Sequence, residues 1–158
     1  MKISESLNEI ICLQCKHELL NMIKYKIIAS YFEDLRLKNL AKKFYSQADE
    51  EYGHYSQMIE YLNDRLGGKY RPVELDVPEI NLNSINEVAE LYLSTEIETT
   101  KSLQSIAEFI YSENSYIDVE FIQKFLTIQI AEEDEADEFM KKSFAVKDLV
   151  LFDSTLEG

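Results

Sequence analysis

Apolar residues recur along most of this chain at alternating steps of four and three, which is the period of one buried helix face. Four segments carry such a stripe, at residues 11–32, 37–62, 85–110 and 118–143. The 158 residues include only four Gly and two Pro, which leaves little material for a sheet. The pattern predicts an all-α protein with one domain over residues 1–158. We expect helices at about 5–34, 37–66, 84–112 and 116–144, and a short fifth helix at about 147–156.

The ends of these helices carry recognisable signals. Ser6 with Glu9, and Ser84 with Glu87, match the capping-box pattern at the starts of the first and third helices. Gly67-Gly68 is typical of a helix C-terminus. Because only a short polar segment separates the first two helices, we expect them to form an antiparallel hairpin.

The connection at residues 66–83 is long for a compact domain and contains both prolines of the chain. Eighteen extended residues at about 3.3 Å each can span a helix of ~40 Å, so the third helix can run parallel to the second. The sequence therefore predicts a four-helix bundle with one long crossover.

The middle of each apolar stripe is occupied by acidic or amide side chains. Since helices packed side by side bring their midpoints to one level, we expect these residues to share one layer of the interior. His54 follows Glu51 by three residues, about 300° around the helix, and so projects from nearly the same face. An ionised carboxylate in a core costs several kcal/mol unless it is compensated. The residues of the predicted layer are Glu18, Glu51, His54, Glu96, Gln129 and Glu132.

This layer has the composition of a two-metal centre. Four carboxylates balance two divalent cations, and hard oxygen donors with one imidazole suit iron, manganese or zinc. A Glu-x-x-His segment facing into a bundle is one half of a di-metal carboxylate site. No Lys or Arg lies on the stripes at the same depth, which argues against simple internal salt bridges.

The net charge limits the choice of partners. Thirty acidic and sixteen basic residues give a net charge of −14, which repels phosphate backbones and anionic lipids. We therefore expect no nucleic-acid partner and no membrane partner. No apolar run approaches ~20 residues and the N-terminus lacks a signal-peptide core, so a cytoplasmic protein is expected.

Two further features of the first helix are interpreted structurally. Cys12 and Cys15 form one C-x-x-C inside a predicted helix, without the second pair that a zinc or rubredoxin-type site needs, so we expect reduced, packed thiols. His17 lies one residue off the stripe, and we expect it on the surface or in a subunit contact.

The polar residues together resemble a known family. The Glu-Glu-x-x-His segment at residues 50–54, Glu18 followed seven residues later by Tyr25, Glu96, and Gln129 followed by Glu132-Glu133 are similar to ferritins of the haem-free bacterial type. The resemblance covers nearly the whole chain. It implies a first iron bound by Glu18, Glu51 and His54, and a second held by the bridging Glu51 with Glu96 and Glu132. Tyr25 and Gln129 would lie beside the pair as redox-active and hydrogen-bonding neighbours.

The resemblance also implies a function. An iron storage protein of this type oxidises Fe(II) with O2 or H2O2 at a ferroxidase centre and deposits ferric mineral inside a cage of 24 identical subunits, without haem. Asp118 and Glu120 would then be candidates for a three-fold channel, although a solvated helix start explains both acids equally well. The tail at 146–156 would supply a fifth helix at the four-fold axes.

Apolar residues outside the bundle also suggest assembly. The crossover carries Val73, Leu75, Val77 and Ile80, and the tail carries the apolar run 149–152. Such residues would form an exposed patch on a monomer, so we expect them to be buried between subunits.

The sequence departs from the family pattern at several positions. Glu50 matches one ligand of a third iron site, but Ile128 and Ala131 stand where the other acids would be, so no third iron is expected. Tyr52 replaces the haem-ligating Met of bacterioferritin. The absence of a second Glu-x-x-His and of paired C-x-x-C motifs argues against rubrerythrin.

Two other interpretations of the sequence stay open. One is a rubrerythrin-like di-iron oxidase or peroxidase that stores no iron. The other is a non-catalytic helical scaffold whose acids are solvated. Metal content separates the scaffold from both enzymes, and particle size separates a cage from smaller forms.

Overall fold

The computed structural model describes residues 1–156, and within that range the only regular structure is helical. Four long helices form a bundle, and the fifth is short. A 3-10 turn at Tyr116–Asp118 precedes the fourth long helix, so that helix begins three residues later than predicted. The helices are α1 (Glu5–Asp34), α2 (Lys38–Asp64), α3 (Ile85–Ser112), α4 (Val119–Ala145) and α5 (Leu149–Thr155).

The long crossover connects two parallel helices. The Ile3 amide donates to the Leu66 carbonyl at 3.0 Å, which joins the start of α1 to the end of α2 and makes this pair antiparallel. Ile85, at the start of α3, shares an apolar cluster with Leu40 near the start of α2. The end of α3 shares a second cluster with the end of α2. Residues 66–83 therefore run the length of the bundle, as predicted.

The starts of α1 and α3 are capped by serine side chains, one of them at a position the sequence did not indicate. Ser4 Oγ accepts from the Leu7 amide at 3.1 Å, because the chain is already helical at Glu5. The prediction that Ser6 caps α1 is therefore wrong. The predicted cap of α3 is confirmed, since Ser84 Oγ accepts from the Glu87 amide at 3.2 Å.

The apolar core consists of two clusters separated along the bundle axis. The first contains Phe32, Phe44 and Phe139, and the second contains Met58 and Leu103. On every long helix the polar layer lies between these clusters, so apolar packing holds the four helices on both sides of it. Across the described residues, no helix combines the length and apolarity needed to span a membrane.

The short helix α5 docks on the bundle by one face. Phe152 packs against Phe139 with ring centroids 6.0 Å apart, and Asp153 Oδ1 accepts from the Leu40 amide at 2.8 Å. Asp153 thus supplies the cap that α2 lacks at its own start. Within the apolar run 149–152, Val150 and Leu151 are the exposed residues, so the expectation that the whole run faces other subunits is wrong.

The start of α4 contains a buried ion pair. Arg65 donates to both carboxylate oxygens of Asp118, at 2.7 and 3.0 Å, and Tyr61 and Ser115 also donate to this carboxylate. Asp118 is 0% exposed and its charge is neutralised by Arg65, so the prediction that it lines a channel is wrong. Glu120 is exposed. Its proposed channel role stays a prediction.

Both cysteines of α1 are buried free thiols, as expected. Burial and the neighbouring Cys12 raise the pKa of the Cys15 thiol to about 12. Since the thiolate is the reactive form, Cys15 is inert near neutral pH.

Candidate metal centre

Each long helix contributes one buried carboxylate to a single layer between the two apolar clusters. Glu18, Glu51, Glu96 and Glu132 are 1, 2, 0 and 7% exposed. Each of them stands where its helix would otherwise place an apolar core residue. The structure therefore brings together the four acids that the stripes predicted.

Three of the side chains converge on one point. Glu18, Glu51 and His54 each offer a ligand atom, and these atoms lie within 4.8 Å of one another. His54 Nδ1 is 3.8 Å from Glu18 Oε2 and 3.6 Å from Glu51 Oε2. Both of these carboxylate oxygens are buried and have no hydrogen-bond partner among the described residues. Because buried polar atoms are normally paired, a cation between them fits this arrangement.

The pKa values of this group favour bound protons when no metal is present. Burial, together with the neighbouring Glu18 carboxylate, raises the pKa of Glu51 from 4.5 to about 8. Burial alone lowers the pKa of His54, but the Glu18 and Glu51 carboxylates outweigh burial and raise it to about 10. Protons thus hold the positions that cations would take.

Glu96 is oriented by two neutral donors. Tyr25 donates its hydroxyl proton to Glu96 Oε1. Gln129 Nε2 donates to Glu96 Oε2 at 2.7 Å and to the Glu96 backbone carbonyl at 3.1 Å. Burial and the charge of Glu51 raise the pKa of Glu96 to about 7. Tyr25 and Gln129 therefore lie beside Glu96, and their place beside an iron pair stays a prediction.

Glu132 is held from α2. Gln47 Nε2 donates to Glu132 Oε2 at 2.7 Å and to Glu51 Oε1 at 3.3 Å. Burial and the nearby Glu50 carboxyl group raise the pKa of Glu132 to about 8. Glu50 is exposed overall, but its carboxyl group reaches the edge of the layer.

Sequence reasoning missed two amides that support the layer. Gln14 Nε2 donates to Glu18 Oε1 at 3.2 Å, and Gln47 makes the matching contact to Glu51. Each Gln lies four residues before a core Glu and so on the same helix face. That spacing was available in the sequence as a signal.

His17 lies in the seam between α1 and α3. Its Nε2 is 2.8 Å from Thr99 Oγ1, and Asn21 donates to the same oxygen at 2.9 Å. The ring is also partly exposed and lines a surface pocket, so the expectation of a surface histidine is confirmed, and a subunit contact stays a prediction. Burial and the nearby Lys24 charge lower the pKa of His17, which favours the neutral ring.

Four acids and one imidazole, supported by neutral amides and a phenol, supply the hard ligand atoms that could hold divalent cations. Glu51 lies between the part of the layer that contains His54 and the part that contains Glu132. One of its oxygens faces His54, and the other accepts from the amide that also holds Glu132.

The family of the chain and the proteins to which it is similar agree with a metal centre at this layer. The chain belongs to the ferritin-like domain family, which matches residues 5–143. More particularly, it is similar to the bacterial non-heme ferritin of Staphylococcus aureus, with 30% identity over 132 residues that cover 83% of this chain and 78% of that protein. Ferritin BfrB of Mycolicibacterium smegmatis is 31% identical over 124 residues, which cover 75% of this chain and 65% of that protein. The predicted resemblance to haem-free bacterial ferritins is confirmed.

Solved structures confirm the predicted fold. The open pore ferritin of the hyperthermophilic archaeon Archaeoglobus fulgidus matches with a TM-score of 0.92 and 25% identity, over 98% of this chain and 96% of that one. A humanized archaeal ferritin matches with a TM-score of 0.93 and 24% identity, over 98% of this chain and 97% of that one. The all-α bundle with one long crossover and a short fifth helix is thus a ferritin fold.

Proposed function

We propose that this protein oxidises Fe(II) to Fe(III) at a two-iron ferroxidase centre inside each subunit and stores the ferric product within a hollow homo-oligomeric shell. One observation carries the proposal: the buried, unpartnered oxygens of Glu18 and Glu51 lie beside His54, in a layer of four core carboxylates. Membership in the ferritin-like family and the similarity to a bacterial non-heme ferritin support iron as the metal.

In this proposal iron is the substrate, and the ligands divide into two sets. Glu18, Glu51 and His54 bind the first Fe(II). Glu96 and Glu132 bind the second, and Glu51 bridges the two. Tyr25 and Gln129 hold Glu96 by hydrogen bonds, as Gln47 holds Glu132. Glu50 lies at the edge of the layer, beside Glu132, and has the weakest case as a ligand.

The proposed oxidation requires little chemistry of the protein residues themselves. Two bound Fe(II) ions supply one electron each to O2 or H2O2, and no haem is required. The carboxylates offset the charge of the two ions. The apolar clusters on both sides keep the layer away from bulk water, which strengthens these electrostatic interactions. Protons held by Glu51 and His54 leave as metal binds, because both groups must be deprotonated to act as ligands.

Assembly into a shell is the second part of the proposal. Val77 of the crossover and Val150 and Leu151 of α5 are 51, 71 and 64% exposed. Such side chains on the flanks of a folded bundle are better buried between subunits. Membership in the ferritin-like family supports a 24-subunit cage. The acidic composition of the chain suits an inner wall that binds iron. The proposed location is the cytoplasm.

The test combines kinetics with particle mass. Purified metal-free protein would be loaded anaerobically with Fe(II), mixed with O2 or H2O2, and followed by ferric absorbance in a stopped-flow instrument. Light scattering and iron analysis would then give the native mass and the iron stored per particle. We expect rapid oxidation and a mass near 24 chains. A mass near one, two or four chains would favour a soluble di-iron oxidase, and protein without bound metal or oxidation would favour the helical scaffold.

A further inference from the structure

The seam between α1 and α3 contains a hydrogen-bond network centred on Thr99. The Thr99 hydroxyl donates to the Thr95 carbonyl at 2.8 Å, which uses its only proton. Its oxygen therefore accepts from its two other partners, Asn21 Nδ2 at 2.9 Å and His17 Nε2 at 2.8 Å. These bonds fix the Asn21 amide with its nitrogen towards Thr99 and its carbonyl oxygen turned away.

Two buried polar atoms beside this network are left without partners. Asn21 Oδ1 and Thr95 Oγ1 make no hydrogen bond to any described residue, and both side chains belong to residues that are 1% exposed. An unpaired buried polar atom costs about 1–3 kcal/mol, so each of them calls for a ligand. The amide oxygen can only accept, whereas the threonine hydroxyl can donate or accept. A small molecule that carries hydroxyl groups satisfies both.

The seam adjoins the metal centre. Asn21 follows Glu18 by one helical turn, and Thr95 directly precedes Glu96. On the same flank is a surface pocket of about 340 Å³, lined in part by Gln14, His17 and Ser102. His17 is common to the pocket and the Thr99 network, and Gln14 donates to Glu18 Oε1 at 3.2 Å. One layer of side chains thus separates the pocket from the centre.

The chemistry of the seam selects a neutral ligand. The side chains that meet at Thr99 are an amide, a hydroxyl and an imidazole, whereas Glu50 and Glu132 lie beside each other elsewhere in the layer. A divalent cation finds better ligands among those acids. O2 has no proton to donate and gains little from Asn21 Oδ1. Water and hydrogen peroxide each donate and accept.

We propose that the seam formed by His17, Asn21, Thr95 and Thr99 is the site at which hydrogen peroxide binds next to the iron centre, held between Asn21 Oδ1 and Thr95 Oγ1. Water occupies the site at rest. The inference rests on the proposed ferroxidase function and specifies its oxidant. Two Fe(II) ions give one electron each to H2O2, its O–O bond breaks, and two protons taken from solvent complete two water molecules.

Thr95→Val tests the site kinetically, since it keeps the side-chain shape and removes a hydroxyl that bonds no described residue. Thr100→Val is the matched control, because its hydroxyl bonds the Glu96 carbonyl at 3.1 Å on the same helix. Each Fe(II)-loaded protein is mixed anaerobically with H2O2, and separately with O2. Loss of one hydrogen bond to the oxidant should slow the H2O2 reaction of Thr95→Val about fivefold to tenfold. Its O2 reaction and its Fe(II) affinity should stay at wild-type values, as should all rates of Thr100→Val.

A crystal structure of metal-free wild-type protein provides a readout independent of iron. We expect density for one ordered molecule within hydrogen-bond distance of both Asn21 Oδ1 and Thr95 Oγ1, and its loss in Thr95→Val. Absence of that density in the wild type overturns the proposal. So does an unchanged H2O2 rate in Thr95→Val, or an equal slowing with both oxidants, while the ferroxidase function stands. If neither oxidant oxidises Fe(II) in the wild type, the ferroxidase function itself is wrong and the inference falls with it.

Discussion

Gln47 Nε2 on α2 lies 2.7 Å from Glu132 Oε2 on α4, and the same amide nitrogen lies 3.3 Å from Glu51 Oε1. One neutral side chain therefore holds carboxylates from both halves of the proposed centre. Gln129 and Tyr25 both donate to the single carboxylate of Glu96. Because these donors carry no charge, they orient the acids without neutralising them. The negative charge remains available for cations.

Glu51→Ala should abolish rapid Fe(II) oxidation, since Glu51 is the only ligand shared by both proposed iron positions. Helix content should be retained, because the apolar clusters on either side of the layer hold the bundle together. Stopped-flow absorbance and circular dichroism measure the two properties. Glu60→Ala, an exposed position on the same helix, is the control and should oxidise iron normally. A wild-type rate in Glu51→Ala would remove Glu51 from the site.

Metal-free protein should lose stability as pH rises from about 5 to 9. A group whose pKa is higher in the folded state holds its proton more tightly there, so its contribution is present at low pH and lost as pH rises through the folded pKa. Burial raises the pKa of Glu51 to about 8, and the adjacent carboxylates raise that of His54 to about 10 despite burial. Urea unfolding midpoints at several pH values measure the slope, which should be shallower in Glu51→Gln.

Fe(II) binding should release protons from the same groups and tighten as pH rises. An unperturbed histidine would lose metal to protons near a pKa of ~6.5. In the structure, protons compete with the metal up to higher pH, because the pKa of His54 is about 10 in the metal-free site. Anaerobic titration with a pH indicator counts the released protons. His54→Ala should release fewer than the wild type, and equal release would show that His54 is not a ligand.

Two irons per subunit, and no third, should bind in defined positions. Ile128 and Ala131 lie on α4 where further acids would be needed, and Glu50 lies beside Glu132. A crystal soaked anaerobically in Fe(II) tests the count through anomalous density. An ordered third metal on Glu50 would contradict this prediction.

The sequence predicted the fold and the acids of the candidate centre because both follow from one-dimensional spacing. The four stripes define the helices, and the polar interruptions fall at one depth. The supporting residues were harder to identify. Amides such as Gln14 and Gln47 are common on helix surfaces, and only their partners show that these two are buried. The burial of Asp118 depends on Arg65, which is 53 residues away in the chain. Such long-range pairing leaves no local signal.

Asp118→Ala should destabilise the protein by about 3–5 kcal/mol, because it leaves the buried Arg65 charge unpaired. Burial alone raises the pKa of Asp118, but the hydrogen bonds from Arg65, Ser115 and Tyr61 outweigh burial and lower it. This contribution is therefore present above the unfolded-state pKa and is lost as pH falls through the folded one. Urea unfolding at neutral pH measures the loss.

Matched variants separate the ion pair from its surroundings. The double variant Arg65→Met, Asp118→Leu should recover most of the stability lost in Asp118→Ala, because an apolar pair leaves no buried charge unpaired. Glu120→Ala, at the exposed start of the same helix, should change stability by less than about 0.5 kcal/mol. If Asp118→Ala were equally mild, the ion pair would contribute little to the fold.

The exposed face of α5 should control assembly without affecting the bundle. Val150 and Leu151 are 71 and 64% exposed, whereas Phe152 packs on Phe139 and Asp153 caps α2. Removing residues 147–158 would therefore remove both an assembly surface and structural contacts, with loss of the Asp153 cap alone worth about 1 kcal/mol. Point substitutions separate the two effects.

Val150→Glu and Leu151→Glu place a charge on the apolar face, where burial between subunits would require its desolvation. We expect a smaller native mass by light scattering, with urea stability and the rate of Fe(II) oxidation per subunit close to wild type. Ser154→Glu adds the same charge at an exposed polar position of α5 and should leave the mass unchanged. Phe152→Ala should instead lower stability by about 1–2 kcal/mol, since its ring is half-buried on the bundle. If the glutamate variants keep the wild-type mass, α5 does not lie at a subunit interface. If instead the mass falls and the iron stored per particle falls with it, storage depends on the closed shell. Oxidation itself needs only the residues inside one bundle.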